Sequence, residues 1–231
     1  MAFDPSSSRR EPIINAPLVV TATAGLLVAL HAATYLASDT DYLKLQSDFA
    51  LWPQRFWAPA GSEMAYDNPL QAGLTLISTA LLHSGWMHVL TNSAMLLAFG
   101  APSARVMGPG WGGATKWMLL FLGAIAAGSI FYLVVRGAGG PPAVGASGGT
   151  SGLMAAAFLF GPSGRMRSPF SREFISIGLA FAFINLVLVL AGPQLLGAPI
   201  AWEAHAGGFI GGAAMMLLLA PRHLRPRLVP R

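Results

Sequence analysis

Apolar runs of roughly bilayer-crossing length recur along these 231 residues, and they restrict the fold more than any other feature. They cover about 17–37, 85–100, 116–135, 174–191 and 200–220, and a shorter one lies at 147–160. At 1.5 Å per residue, about 20 residues of helix cross about 30 Å of hydrocarbon. Charged residues make up only 10% of the chain, against about 25% in a soluble domain, and the mean hydropathy is +0.58. The expected fold is an all-α integral membrane bundle of six transmembrane helices with a short fourth helix at its centre.

The distribution of basic residues orients that bundle. With a cytoplasmic N-terminus, the inner segments hold Arg9, Arg10, Arg105, Lys116, Arg165, Arg167, Arg172, Arg222, Arg225, Arg227 and Arg231. Only Lys44, Arg55 and Arg136 fall outside, so the positive-inside rule gives N-in, C-in. The net charge of +5 is scattered between spans rather than gathered into a patch, which argues against nucleic acid as a partner. The chain divides into a disordered cytoplasmic tail (1–16), a membrane domain (17–220) and a basic cytoplasmic tail (221–231). Arg9-Arg10 is followed at once by Glu11-Pro12 without a cleavage site, so the first run is read as a retained anchor. Residues 38–70 form a long connection whose Trp52, Phe56 and Trp57 suit the membrane interface. His31, inside the first run, is expected to hydrogen-bond to a neighbouring helix.

The short run carries the chemistry. It opens with Gly145-Ala146-Ser147-Gly148, and a helix over 147–160 is about 21 Å long, too short to span. Arg165 and Arg167 put its far end near the cytoplasmic face, so its N-terminus stops below the opposite surface. Helix-end N–H groups at that depth must face protein or water, which predicts a polar hole with Ser147 at its floor. A serine there is either an N-cap or a nucleophile beside an oxyanion hole.

Other polar residues share that depth. His88 and Asn92, four apart, occupy one face of the second span, whereas His83 precedes the helix. His205 lies near the outer end of the sixth. Ala204, Gly208 and Gly212 form one small-xxx-small row, and Gly148, Gly152 and Ala156 form another. If the rows meet, Ser147 and His205 become neighbours. Metal chemistry lacks ligands, because there is no cysteine, no His-Glu-x-x-His and no carboxylate cluster within the spans. No phosphate-binding loop or dinucleotide fingerprint stands out, so no cofactor is expected. Nor does any acid lie well inside a span, as a proton-coupled transporter usually requires.

In the order His83-x4-His88-x3-Asn92, Gly145-Ala146-Ser147-Gly148 and Ala204-His205-x2-Gly208-x3-Gly212, the chain resembles the rhomboid intramembrane serine proteases over about 70–220. The resemblance implies Ser147 as nucleophile and His205 as base, without a carboxylate third member. It also implies an oxyanion hole from His88, Asn92 and the Ser147 N–H, with His83, Gly145 and Gly148 shaping the site. Ser151 repeats the Gly-x-Ser-Gly pattern. Ser147 is preferred because Gly152-Leu153-Met154 follow it at the family's spacing. Two departures are plain: Leu74-Thr75 replace a common Trp-Arg, and Ser151 replaces an aromatic that braces the histidine ring. The implied partners are transmembrane protein substrates and the lipid bilayer. The implied location is a plasma (inner) membrane, bacterial, with the site opening to the extracytoplasmic side. The rival reading is a catalytically silent rhomboid-like protein that binds transmembrane clients.

Overall fold

A computed structural model describes residues 15–160, 164–196 and 199–225. The chain is helical throughout its named elements: α1 (Leu18–Tyr35), α2 (Asp39–Phe49), α3 (Pro53–Phe56), α4 (Pro69–Ser78), α5 (Trp86–Met107), α6 (Gly110–Arg136), α7 (Ser147–Phe158), α8 (Arg172–Leu196) and α9 (Trp202–Leu219). Each apolar run became a helix. Among the described residues α1, α6 and α8 are long and apolar enough to cross a membrane on length and composition alone. The others that matched apolar runs, α5, α7 and α9, carry the candidate site residues. In α5 and α9, His, Asn, Glu and Trp dilute the apolar sequence, and α7 is only 12 residues long. The tail expected over 1–16 lies outside the described residues except for Asn15 and Ala16, as does 226–231 at the other end.

The core sits where α7 packs against α5, α6 and α9. Small residues permit it. A Cβ on Gly208 would stand 2.1 Å from the Gly148 carbonyl oxygen, and one on Gly212 would stand 2.2 Å from Gly152 Cα. The two rows of small residues therefore meet as expected. In lipid, where apolar side chains gain little by leaving one environment for another, such close backbone packing is a principal source of helix association. α8 stands apart. It touches α9 and α7 more sparsely than these touch each other, and its span is only 11% buried.

One ion pair ties the ends of α6 and α9. Arg136 Nε reaches Glu203 Oε1 at 2.5 Å, with the Glu203 side chain 2% exposed. Glu203 thus sits inside the protein at the start of α9, not on its surface. Glu203 is the buried member and Arg136 is exposed, so removing the arginine strands a buried charge, whereas removing both is far milder. Arg136→Met is expected to lower the midpoint of thermal unfolding in detergent, and adding Glu203→Gln to recover most of the loss. Equal destabilisation by the single and double variants would show the pair to be incidental.

The connection over 38–70 is more ordered than its composition implied. Ser38 caps α2 by accepting from the Asp41 N–H at 3.2 Å, and its hydroxyl donates to the Asp41 carboxylate at 2.7 Å. Asn68 caps α4 in the same way through the Gln71 N–H at 2.9 Å, with Pro69 at the first helical position. Between these helices the Arg55 guanidinium lies 4.3 Å from the centroid of the Tyr66 ring, and Trp57 Nε1 donates to the Leu133 carbonyl at 3.3 Å. The segment is bound to the bundle rather than merely lying at an interface.

Candidate active site

The site is built around the turn that delivers Ser147. Residues 141–145 are pinned by three hydrogen-bonding neighbours. The Tyr132 hydroxyl donates to the Pro141 carbonyl at 2.8 Å, and the Thr79 hydroxyl donates to the Ala143 carbonyl at 2.6 Å. Leu51 and Ala143 exchange backbone hydrogen bonds of 3.1 and 2.9 Å. The Gly145 N–H then donates to the Thr79 carbonyl at 2.9 Å. Gly145 has φ +117°, which side chains rarely tolerate, and a Cβ there would lie 2.6 Å from His88 Cε1 and Nε2. Glycine is therefore required twice, by conformation and by its passage over the imidazole.

Helix α7 begins two residues later. Its first intrahelical bond runs from the Thr150 N–H to the Ala146 carbonyl at 3.0 Å, and no side chain caps the helix. The N–H groups of Ser147, Gly148 and Gly149 precede that bond and carry the partial positive charge of a helix N-terminus. Ser147 is half-buried, and among the described residues its hydroxyl makes no hydrogen bond. Ser151, one turn deeper, is buried at 6% exposure.

On α5, His88 and Asn92 face the same turn. Both the backbone N–H (3.4 Å) and the hydroxyl (3.1 Å) of Ser84 approach His88 Nδ1. A backbone N–H can only donate, so Nδ1 accepts and the neutral ring carries its proton on Nε2, the atom against Gly145. Asn92 is 4% exposed, and its Nδ2 has no partner among the described residues. A Cβ on Gly145 would lie 3.8 Å from that nitrogen. His83 precedes α5 as expected and is fully enclosed. Its ring packs edge-on to His88 with centroids 5.0 Å apart, and neither of its nitrogens has a partner among the described residues.

On α9, the contact with α7 falls beside the other candidate. A Cβ on Gly148 would stand 3.2 Å from the Ala204 carbonyl oxygen. Ser147 and His205 flank that contact, one residue before Gly148 and one after Ala204. No direct hydrogen bond joins their side chains among the described residues. Apo geometry at such pairs is commonly loose. His205 Nδ1 instead lies 2.6 Å from Asn185 Oδ1 on α8.

A cavity of about 30 Å³ adjoins Ser147, bounded also by Thr79, Ser129 and Tyr132 with Leu51, Ala143 and Ala201. It has room for water but not for a peptide. Leu51 of the 38–70 segment reaches the turn before Ser147 through its backbone pairing with Ala143. One expectation needs correction: among the described residues His31 makes no hydrogen bond to a neighbouring helix. Neither of its nitrogens has a partner among them, and its ring meets Trp86 edge-on at 4.9 Å and His83 at 6.3 Å.

A rhomboid domain profile matches residues 71–222, from α4 through α9. The chain belongs to the rhomboid family. It is a membrane protein, and the family is generally one of serine intramembrane proteases. An uncharacterized protein of Mycobacterium bovis and two of Mycobacterium tuberculosis strains are each 28% identical to it over 163 residues. That match covers 68% of this chain and 63% of each relative, so the chain spans less than two thirds of the length of these curated relatives. All the site residues foreseen from sequence fall inside the rhomboid region. So do Thr79 and Asn185, which were not foreseen, whereas Leu51 lies ahead of it. The signal for Asn185 was present: an amide within the apolar run 174–191 is a functional candidate by default.

Proposed function

We propose that this rhomboid is an intramembrane serine protease that hydrolyses peptide bonds in or near the transmembrane segments of other membrane proteins. Ser147 is the nucleophile. Its hydroxyl proton passes to His205 Nε2 as the oxygen attacks the substrate carbonyl. The resulting oxyanion accepts from His88 Nε2–H, Asn92 Nδ2 and the Ser147 N–H. Collapse of the tetrahedral intermediate expels the amine, which takes the proton from His205, and water then releases the acyl-enzyme. The reading places six spans with both termini inside, in a bacterial plasma membrane, with the site opening to the extracytoplasmic side.

The observation that supports this reading best is the close approach of Gly148 to the Ala204 carbonyl, which joins α7 and α9 one residue away from Ser147 on one helix and from His205 on the other. Support comes from the Asn92 amide, a buried donor without a partner beside the turn that opens α7. A peptide carbonyl reaches Ser147 only from a substrate segment that has unwound locally. Substrate segments with small or helix-breaking residues, which unwind readily, fit that requirement. A fluorophosphonate probe tests the chemistry apart from substrate choice. Labelling of the purified protein at Ser147 is expected. A folded protein that neither labels nor cleaves a panel of single-span substrates would instead be a silent binder of transmembrane clients.

A further inference from the structure

His205 is held from the side opposite its proposed task. Its Nδ1 lies 2.6 Å from Asn185 Oδ1, and the Asn185 Nδ2 donates to the Phe181 carbonyl one turn back at 2.9 Å. That second bond fixes which way the amide points. The nitrogen is committed to α8's own backbone, so the oxygen faces the imidazole. An amide oxygen only accepts, so the neutral ring must carry its proton on Nδ1 and leave Nε2 with a free lone pair. Asn185 is 6% exposed, so little water competes for the bond.

Packing keeps the two residues in register. Phe181 and Phe209, each one helical turn from its hydrogen-bonded neighbour, stack with centroids 4.6 Å apart and planes 20° apart. Phe174 stacks on the other side of the same contact at 5.7 Å. These rings and the Asn185–His205 bond are specific contacts between α8 and α9 among the described residues. Elsewhere the two helices part around an apolar groove of about 520 Å³, with Asn185 in its wall.

We propose that Asn185 is a positioning residue of the protease, holding His205 in the Nδ1–H tautomer with Nε2 free to take the Ser147 proton. The proposal rests on the Ser147–His205 reading. It adds to the pair a third, uncharged member from a different helix. It also makes the docking of α8 a condition of basicity. If α8 loses its ring stack on Phe209, the imidazole can turn or shift its proton to Nε2, and the base is lost. Asn185 acts only through His205, so the predicted loss is in turnover and not in substrate binding.

The test begins with the wild-type protein, labelled with 15N-histidine and studied by NMR at neutral pH, with His205→Gln used to assign the signal. A protonated Nδ1 and an unprotonated Nε2 on His205 are expected, and the opposite tautomer overturns the proposal whatever any variant does. Asn185→Leu should then lower kcat by about 10–100-fold, the range found when the hydrogen-bond partner that orients a metal-bound imidazole is removed. KM should change little and the tautomer signature should be lost. Asn185→Asp, which keeps an acceptor, should recover activity over Asn185→Leu. Full activity in a folded Asn185→Leu protein whose wild type labels at Ser147 would defeat the Asn185 role alone. A wild type that never labels at Ser147 would defeat the serine reading itself, and the tautomer measurement would still report on the hydrogen bond.

Discussion

Ser147→Ala is expected to leave no measurable cleavage of a transmembrane substrate and His205→Ala to fall to the same floor, while Ser151→Ala is expected to keep most of the wild-type rate. Nucleophile and base act as a unit, so losing either costs nearly what losing both costs, on the order of 10⁶ in kcat for a serine–histidine pair. The two serines share a local Gly-x-Ser-Gly sequence but not a setting. Ser147 opens α7, is half-buried and has free helix-end N–H groups beside it. Ser151 lies a turn deeper at 6% exposure, where a peptide carbonyl could not reach it. Cleavage assays in vesicles with matched protein amounts decide the matter. Retained activity in Ser147→Ala would move the nucleophile elsewhere and take the assignment of His205 with it.

Much of this arrangement could be read before any coordinates, and the parts that could not share a cause. Span-length apolar runs translate directly into helices, so α1, α5, α6, α8 and α9 were found, although α5, α6 and α8 extend beyond their apolar runs by one to two turns at one end. Glycine rows report a local property, the absence of side chains, that has one strong use in a membrane, and the α7–α9 contact followed from them. Partnerships across helices are different, because they depend on register. Nothing in the run 174–191 says that its asparagine stands opposite His205 rather than opposite lipid. That follows only when Phe181 is seen on Phe209. The expectation for His31 failed for the same reason: its ring meets the Trp86 and His83 rings edge-on, and no hydrogen bond forms among the described residues.

The segment over 38–70 is another case. Its acidic, Pro-interrupted composition is a poor helix signal, yet Ser38-x-x-Asp41 and Asn68-Pro69 are helix-start signatures that define α2 and α4. Its influence on the site was illegible because it runs through Leu51, an ordinary apolar residue whose backbone pairs with Ala143.

Asn92→Leu is expected to slow cleavage by about 10²–10³, the usual result of removing one oxyanion-hole donor, while leaving the fold as stable as before or more so. The two halves of that expectation have one origin. A buried amide N–H₂ without a partner costs about 1–3 kcal/mol in the resting protein. Folding alone would favour an apolar residue of similar size at position 92, which is wholly enclosed at 4% exposure. The group is tolerable if its partner arrives with the reaction, as the oxygen that becomes negative when Ser147 attacks. A structural asparagine behaves in the opposite way, because its removal breaks a bond that the resting protein already has. Thermal unfolding in detergent and kcat on a single substrate, measured on the same preparation, separate the two. A lower melting temperature with an unchanged rate would return Asn92 to the scaffold and leave His88 Nε2–H and the Ser147 N–H as the remaining donors.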